Sequence, residues 1–348
     1  MTKRLLFISP LFPKNDDFDY VVPFVTNFSN HFANKTEVKI DVISLMYPFT
    51  SKKYEYGKIT VYPIGSKFKS KLNLLPYLLL AVIKGIALCR KNHYDGILCF
   101  WYRESALIGK IIAKAFHLKQ IVWMQGQDIN KDNKYINLLK IPHSHLVMIS
   151  DQQRHFFYKN HKIYVEKIAN VAVNRVVFPE LNTARSIGIL GVGNLSALKN
   201  YSLFVEIVAD LKEEFPAIHV VHCGGDSGEK ETLLKKINNL GLNDNIVFKG
   251  TITHKEVLDT MNNAMVLLHT SKSEGSGTAL HEALFSGCQV VSTIAIEEDE
   301  TLDSFYFSVE KQKLVERIRF ILNNPKPVKR VERFKMEDSV EVIYNCFY

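Results

Sequence analysis

Short apolar runs rich in β-branched residues recur along the whole chain and alternate with longer stretches of helical periodicity. In the first half they read LLFIS, KIDVISL, GILCF, QIVWM and LVMIS; in the second they read IGILGVG, HVVHCGG, NIVFKG, MVLLH and QVVST. Strands apolar on both sides must be covered on both sides, so this alternation predicts parallel sheets flanked by helices, an α/β chain of doubly wound, Rossmann-like units. At 348 residues the chain exceeds one ordinary core, and its length suggests about two domains. Periodicity is lost in VAVNRVVFPELNTARS, which contains a proline. The boundary is therefore placed between Asn170 and Arg185, with a first domain over 1–172 and a second over 185–335. Ligands of such sheets sit beyond the carboxyl ends of the strands, so the expected site is a cleft between the two domains.

The stretch from Ser273 to Val291, SEGSGTALHEALFSGCQVV, places Glu274 and Glu282 around a run of small residues. Ser276, Gly277 and Thr278 suit a helix start, Gly287 its end, and QVV a buried strand. Unpaired N–H groups at such a start can take an anion, and small side chains let it approach. Glu282 lies about one turn in and points back toward that end. A carboxylate cannot bind phosphate, but it accepts hydrogen bonds from hydroxyls, so the arrangement suits a ligand carrying both diphosphate and sugar hydroxyls. The alternative is a surface helix with two solvated glutamates.

Upstream, GILGVGNLSALKN puts Gly191 and Gly193 at a tight turn, followed by Lys199 and a helix from about Tyr201. A lysine there can meet a diphosphate as a point charge, or simply be solvated. The glycine order, G-x-x-G-x-G, is not the dinucleotide fingerprint G-x-G-x-x-G, and no acidic residue ends the next strand. Gly224, Gly225 and Gly250 follow strands, where they would let backbone approach a ligand or serve only as turns. Asp16, Asp17 and Asp19 look superficially like a metal triplet, yet the chain supplies no further ligand, and a solvated loop is the better reading. His143, His145 and His281 lack the spacing of a metal site and read as structural or solvated. There is no G-x-S-x-G elbow, which argues against an esterase.

The formal charge of +8 points to an anionic partner. No nucleic-acid module is visible, so nucleic acid is not the expected one. Lys67, Lys69, Lys71, Lys84, Arg90 and Lys91 flank the apolar segment Leu72 to Leu88, which Asn73, Pro76 and Lys84 interrupt and which is too short to span a bilayer. It reads either as a core-facing helix with lysines at its ends or as an amphipathic helix docking on anionic headgroups. Five cysteines without CxxC or zinc-like spacing read as buried thiols in a reducing compartment. With no secretory signal ahead of Lys3, the cytosol is expected, including the inner face of the cell membrane.

The paired-glutamate segment resembles that of the family 4 (group 1) retaining glycosyltransferases, which use nucleotide sugars and have the GT-B fold. The resemblance extends over KRLLFISPLFP, MQGQDI (Met124 to Ile129), VGNLSALKN, HCGG, IVFKG and the terminal FKMEDSVEVIYNCFY. It implies that Glu282 holds the ribose hydroxyls and Glu274 the donor sugar. It also implies that Lys199 neutralises the donor diphosphate, with Asn194 at a position where the family has an arginine, and that the turn at Gly250, Thr251 and Ile252 holds the base. The first loop, PLFPKNDDFDYVVPFV, lacks the family's glycines. Asp128 matches the aspartate of an HGSD-like motif on the acceptor side, whereas Gln125 replaces its histidine and cannot take a proton. The terminal helix, 336–348, should pack back on the first domain.

The leading expectation is therefore a retaining, hexosyltransferase-type enzyme moving a sugar from a nucleotide diphosphate sugar to a hydroxyl of a glycan or lipid-linked acceptor, in surface polysaccharide or lipid-linked glycan synthesis. No metal or other cofactor is expected. Front-face attack, with the leaving phosphate oxygen taking the acceptor proton, needs charge stabilisation more than a protein base; Lys199 and the helix start at Ser276, Gly277 and Thr278 would supply it. Domain closure would keep water from the donor. The alternatives are a catalytically inactive scaffold protein, motivated by Asn194, Gln125 and the glycine-free loop, and a sugar-nucleotide epimerase or hydrolase.

Overall fold

The computed structural model describes residues 3–15, 21–65, 74–275, 277–296 and 302–348. Asp16, Asp17, Asp19, Lys67, Lys69, Lys71, Ser276 and the acidic run Glu297 to Glu300 lie outside them. The chain divides into two compact units, Met1–Ala172 with Phe334–Tyr348, and Val173–Arg333.

The first unit is built on β1 (Arg4–Leu11), β2 (Lys39–Tyr47), β3 (Tyr54–Tyr56), β4 (Ile59–Pro63), β5 (Gly96–Phe100), β6 (Lys119–Trp123), β7 (Leu146–Met148) and β8 (Lys167–Ile168). In space they run β3-β4-β2-β1-β5-β6-β7-β8. All the pairings are parallel except the β3–β4 hairpin at one edge. The helices are α1 (Pro23–Lys35), α2 (Leu74–Lys91), α3 (Glu104–Phe116), α4 (Lys134–Leu139) and α5 (Asp151–His161).

Period-two alternation sorts the central strand onto two cores. Leu5 and Phe7 of β1 join Phe28 and Phe32 of α1 and Trp123 of β6, whereas Leu6 and Ile8 join Ala81, Ile108 and Ile112 of α2 and α3. The buried Trp123 indole satisfies its polar end by donating to the Ala169 carbonyl at 3.0 Å. The inner face of α2 carries Gly85, where a Cβ would meet Ile112 Cδ1 at 2.2 Å, so the glycine sets the close approach of α2 to α3. Its outer face is apolar too, with Leu75, Leu79, Leu80 and Ile83 exposed by 74, 59, 51 and 54 %.

The second unit contains β9 (Ile187–Val192), α6 (Tyr201–Lys212), β10 (Val220–Cys223), α7 (Lys230–Asn239), β11 (Ile246–Gly250), α8 (His254–Asn262), β12 (Ala264–His269), α9 (Thr278–Phe285), β13 (Gln289–Ser292), β14 (Phe305–Phe307) and α10 (Lys311–Asn323). The sheet is parallel, in the order β11-β10-β9-β12-β13-β14. This is the doubly wound order that reverses between its first and fourth strands, and the crevice at that reversal is where such sheets bind ligands. Ile189, Val220 and Val266 face α6, α7 and α10, while Leu190, Val221 and Leu267 face α8 and α9.

The last helix, α11 (Met336–Tyr344), buries Met336, Val340 and Ile343 against the α1 side of the first unit. Ser339 Oγ donates to the Asn170 carbonyl at 2.7 Å. Near its start the second unit carries a short 3-10 turn, Arg175–Val177. Among the described residues no helix is long and apolar enough to cross a membrane.

Candidate active site

The reversal point of the second sheet is stitched together by hydrogen bonds to backbone carbonyls. The loop leaving β12 is bound to the loop leaving β9: Lys272 N donates to Leu198 O at 2.8 Å and Thr270 Oγ1 donates to Lys199 O at 3.0 Å. This stitching puts Lys199 opposite Glu274, whose Oε1 accepts from Lys199 Nζ. The same oxygen pairs with Nε2 of His269 at 2.8 Å. His269 is the last residue of β12, and its Nδ1 lies 3.3 Å from the hydroxyl of Ser292, the last residue of β13. A proton on Nε2 satisfies the whole chain, with Ser292 donating to the ring and the ring donating to the carboxylate. Burial alone would push the Glu274 carboxyl up, but the His269 hydrogen bond and the Lys199 ammonium outweigh it and hold it down to about 2.

Glu282 sits in the middle of α9, whose start is set by Gly277 in the left-handed region (φ 61) and whose end is set by Gly287 (φ 79). Glu282 is nearly buried, and its Oε1 pairs with His254 Nε2 at 2.7 Å. His254 opens α8, just after Thr253, which caps the helix reciprocally with Glu256. Thr278, the first residue of α9, stands at the anion-accepting end of that helix.

Three strand-end loops are laced together beside this cluster. Gly193 N donates to Cys223 O and Gly224 N to Gly250 O, both at 2.9 Å. A Cβ on Gly224 would stand 2.0 Å from Gly193 O, so that position requires glycine. Asn194 Oδ1 accepts from Gly225 N at 3.1 Å, which gives the side chain at the arginine position a structural bond between loops. His222 Nε2 lies 2.9 Å from Gly193 O, and burial lowers the His222 pKa to about 4, so the ring is a neutral donor. Thr251 is exposed and Ile252 is half-buried. A Cβ on Gly225 would lie 2.7 Å from Thr251 Oγ1, whereas one on Gly250 would meet nothing within 4 Å.

In the first unit, Gln125 and Asp128 build the turn after β6. Asp128 Oδ2 accepts from Gln125 N at 2.8 Å and from Tyr102 N at 2.7 Å. Burial pushes the Asp128 carboxyl up to about 7 against these two donors, and its Oδ1 is buried without a partner among the described residues. Both side chains are turned inward, so the pair shapes the loop rather than facing solvent.

Lys199 and Glu274 are thus brought into contact, and Asn194, Gly193, Gly250 and Thr251 lie on adjoining loops. Reasoning from sequence missed His254 and His269. Each had a signal: His254 stands inside the capping box THKE two residues after IVFKG, and His269 ends the apolar run MVLLH. Among the described residues no group of three or more His, Cys, Asp or Glu is placed to hold a metal ion.

Known proteins resemble this chain in sequence over its second half and in fold over nearly all of it. Residues 178–337 match the family model "Glycosyl transferases group 1". A 113-residue stretch is 29% identical to mannosylfructose-phosphate synthase of Agrobacterium fabrum, covering 30% of this chain and 25% of that protein. A 105-residue stretch is 28% identical to 2-deoxystreptamine N-acetyl-D-glucosaminyltransferase of Niallia circulans, covering 30% of this chain and 27% of that protein. The matches thus span about a quarter of the length of these curated relatives.

Among solved structures, sucrose-phosphate synthase from Thermosynechococcus elongatus superposes with a TM-score of 0.73 at 15% identity, covering 99% of this chain and 95% of that one. TarM superposes with a TM-score of 0.73 at 12% identity, covering 100% and 99%. HepE of Anabaena in complex with UDP and glucose gives a TM-score of 0.66 at 12% identity, covering 99% and 94%. The fold is GT-B, two Rossmann-like domains in one chain. The second unit is a group 1 glycosyltransferase domain.

Proposed function

We propose that this chain is a retaining glycosyltransferase that moves a sugar, of hexose type, from a nucleoside diphosphate sugar to a hydroxyl acceptor. The observation that carries the reading is the convergence of Lys199 and His269 on the Glu274 carboxylate at the reversal point of the second sheet. The ionised Glu274 is an acceptor for sugar hydroxyls, and Lys199 is a cation within reach of a diphosphate. The amide end of α9, at Gly277 and Thr278, adds a second source of positive potential. Glu282 takes the ribose, and Gly250, Thr251 and Ile252 take the base through backbone groups.

In the transfer step the bond from the sugar C1 to the phosphate oxygen breaks, and a bond from C1 to the acceptor oxygen forms on the same face. The acceptor proton passes to the leaving phosphate oxygen, which gives a nucleoside diphosphate. Charge builds on that oxygen, and Lys199 offsets it. No metal ion or other cofactor enters this scheme. Asp128 and Gln125 act on the acceptor side by fixing the loop after β6.

The acceptor is read as a glycan or lipid-linked intermediate of surface polysaccharide synthesis, met at an anionic membrane surface. The exposed face of α2 supports this reading: Leu75, Leu79, Leu80 and Ile83 face outward, and α2, α3 and α4 together carry Lys84, Arg90, Lys91, Lys110, Lys114 and Lys134 against the single acidic residue Glu104. The test of transfer is the release of nucleoside diphosphate from UDP- and GDP-hexoses in the presence of membrane extract, with NMR assignment of the product anomer. Acceptor-dependent release with the donor's α configuration kept supports the reading; release without any acceptor, or an inverted product, overturns it.

A further inference from the structure

The assignment of Glu282 to the ribose leaves open what holds that carboxylate in place. Its side chain is 11% exposed, and one oxygen, Oε1, is engaged by His254 Nε2 at 2.7 Å. The second oxygen accepts no hydrogen bond from any described residue. Leu258 and Met261 of α8 pack with Leu280, Ala283 and Leu284 of α9 in one apolar core, so the His254 ring is carried to Glu282 by helix packing. The backbone of His254 is fixed in turn: Thr253 Oγ1 accepts from Glu256 N at 3.2 Å, and Glu256 Oε2 accepts from Thr253 N at 2.8 Å. The two residues ahead of this cap are Thr251 and Ile252.

We propose that His254 is a positioning residue for the nucleoside half of the donor. It takes one Glu282 oxygen and aims the other at the ribose hydroxyls, and it ties that carboxylate to the loop that meets the base. A carboxylate on a short helix has several rotamers, and holding one of them removes an ordering cost that ligand binding would otherwise carry. The cap and the packing hold His254, His254 holds Glu282, and Glu282 accepts from the ribose. His254 itself needs no contact with the ligand. The inference rests on the ribose role proposed for Glu282 and adds to it a dependence of base and ribose recognition on one hydrogen bond.

The test compares the wild type, His254→Ala and His254→Gln by titration calorimetry. The probe is whichever of UDP, GDP, ADP and CDP stabilises the wild type, set beside its 2′,3′-dideoxy form; circular dichroism checks that each variant is folded. His254→Ala should weaken the ribonucleotide about tenfold and leave the dideoxy form within about twofold, because only the former uses Glu282. His254→Gln, which restores an N–H donor, should recover most of the loss. In turnover, KM for the donor should rise with kcat little changed, since the interaction is as strong in the ground state as in the transition state. Equal weakening of both nucleotides, or a fall in kcat at constant KM, overturns the inference. A wild type that binds a ribonucleotide while His254→Ala binds it equally well also overturns it and leaves the proposed function intact. A wild type that binds no nucleotide at all removes the proposed function, and this inference with it.

Discussion

Lys199 and Glu274, 75 positions apart in the sequence, form an ion pair at the point where the strand order of the second sheet reverses. The pair joins the exits of β9 and β12, and His269 closes it from below. On the proposed function, the cation for a donor's diphosphate and the acceptor for its sugar would neutralise each other until a donor arrives. A donor would replace the Lys199 side of that bond and leave His269 to hold the carboxylate.

This arrangement separates binding from transfer. Glu274→Gln removes the charge that competes for Lys199, so nucleoside diphosphate should bind within about threefold of the wild type or more tightly, while transfer falls by about 100-fold or more. Calorimetry and a coupled assay for released nucleoside diphosphate check the two arms. An unchanged transfer rate would contradict the role of Glu274.

The Glu274 and Asp128 carboxyls give opposite pH signatures. Glu274 is held at about 2 in the folded chain, below its ordinary value near 4.5. Its stabilisation is therefore present above about pH 4.5 and is lost as pH falls toward 2. Asp128 is pushed up to about 7 from its ordinary 3.8, so the protonated form is favoured on folding. That contribution is present below about pH 4 and is lost as pH rises through 7, at a cost of roughly 4 kcal/mol at most. Asp128→Asn should flatten the fall in stability between pH 5 and 8, which urea denaturation at the two pH values measures. A wild-type slope kept by the variant would place the titration elsewhere.

Gly224→Ala should destabilise the second unit by about 2 kcal/mol or more, because the new Cβ would meet the Gly193 carbonyl in a left-handed backbone region. A thermal melt reads the loss directly. A variant as stable as the wild type would mean that the loops after β9 and β10 are not laced as described.

The outer face of α2 predicts membrane docking that depends on both apolar and charged groups. Cosedimentation with phosphatidylcholine vesicles carrying about one third anionic lipid should retain the wild-type chain. Leu79→Ser with Ile83→Ser should release it, and so should high salt or vesicles of phosphatidylcholine alone. Equal partitioning of wild type and variant would contradict this, and concentration-dependent dimerisation abolished by the same substitutions would assign the face to a second copy of the chain.

Much of this architecture was legible in the residues because the signals were local. The strand runs LLFIS, GILCF and IGILGVG are apolar on both faces, and a strand buried on both sides has few other solutions. The start and end of α9 were readable from Gly277 and Gly287, whose backbone conformations exclude most side chains. The β3–β4 hairpin in YEYGKITVYP was missed: it is a short edge element whose stability comes from pairing with β2. The partners of Glu282 and Glu274 were not legible for a related reason. His254 lies 28 positions from Glu282 in the sequence, and only the packing of α8 on α9 makes them neighbours. His269 looked like the end of an apolar run, and its role arises from the parallel register of β12 and β13, which sets it beside Ser292.

The central claim, a nucleoside diphosphate held at the Lys199–Glu274 pair, is tested most directly by thermal stabilisation of the purified protein with UDP, GDP, dTDP, ADP and CMP beside a Lys199→Ala control. A ligand at 100 times its dissociation constant adds about 2.7 kcal/mol, a shift of several degrees. Stabilisation of the wild type by one diphosphate, and not of the variant, is the predicted result. Equal stabilisation of both proteins, or of neither by any nucleotide, would contradict the account.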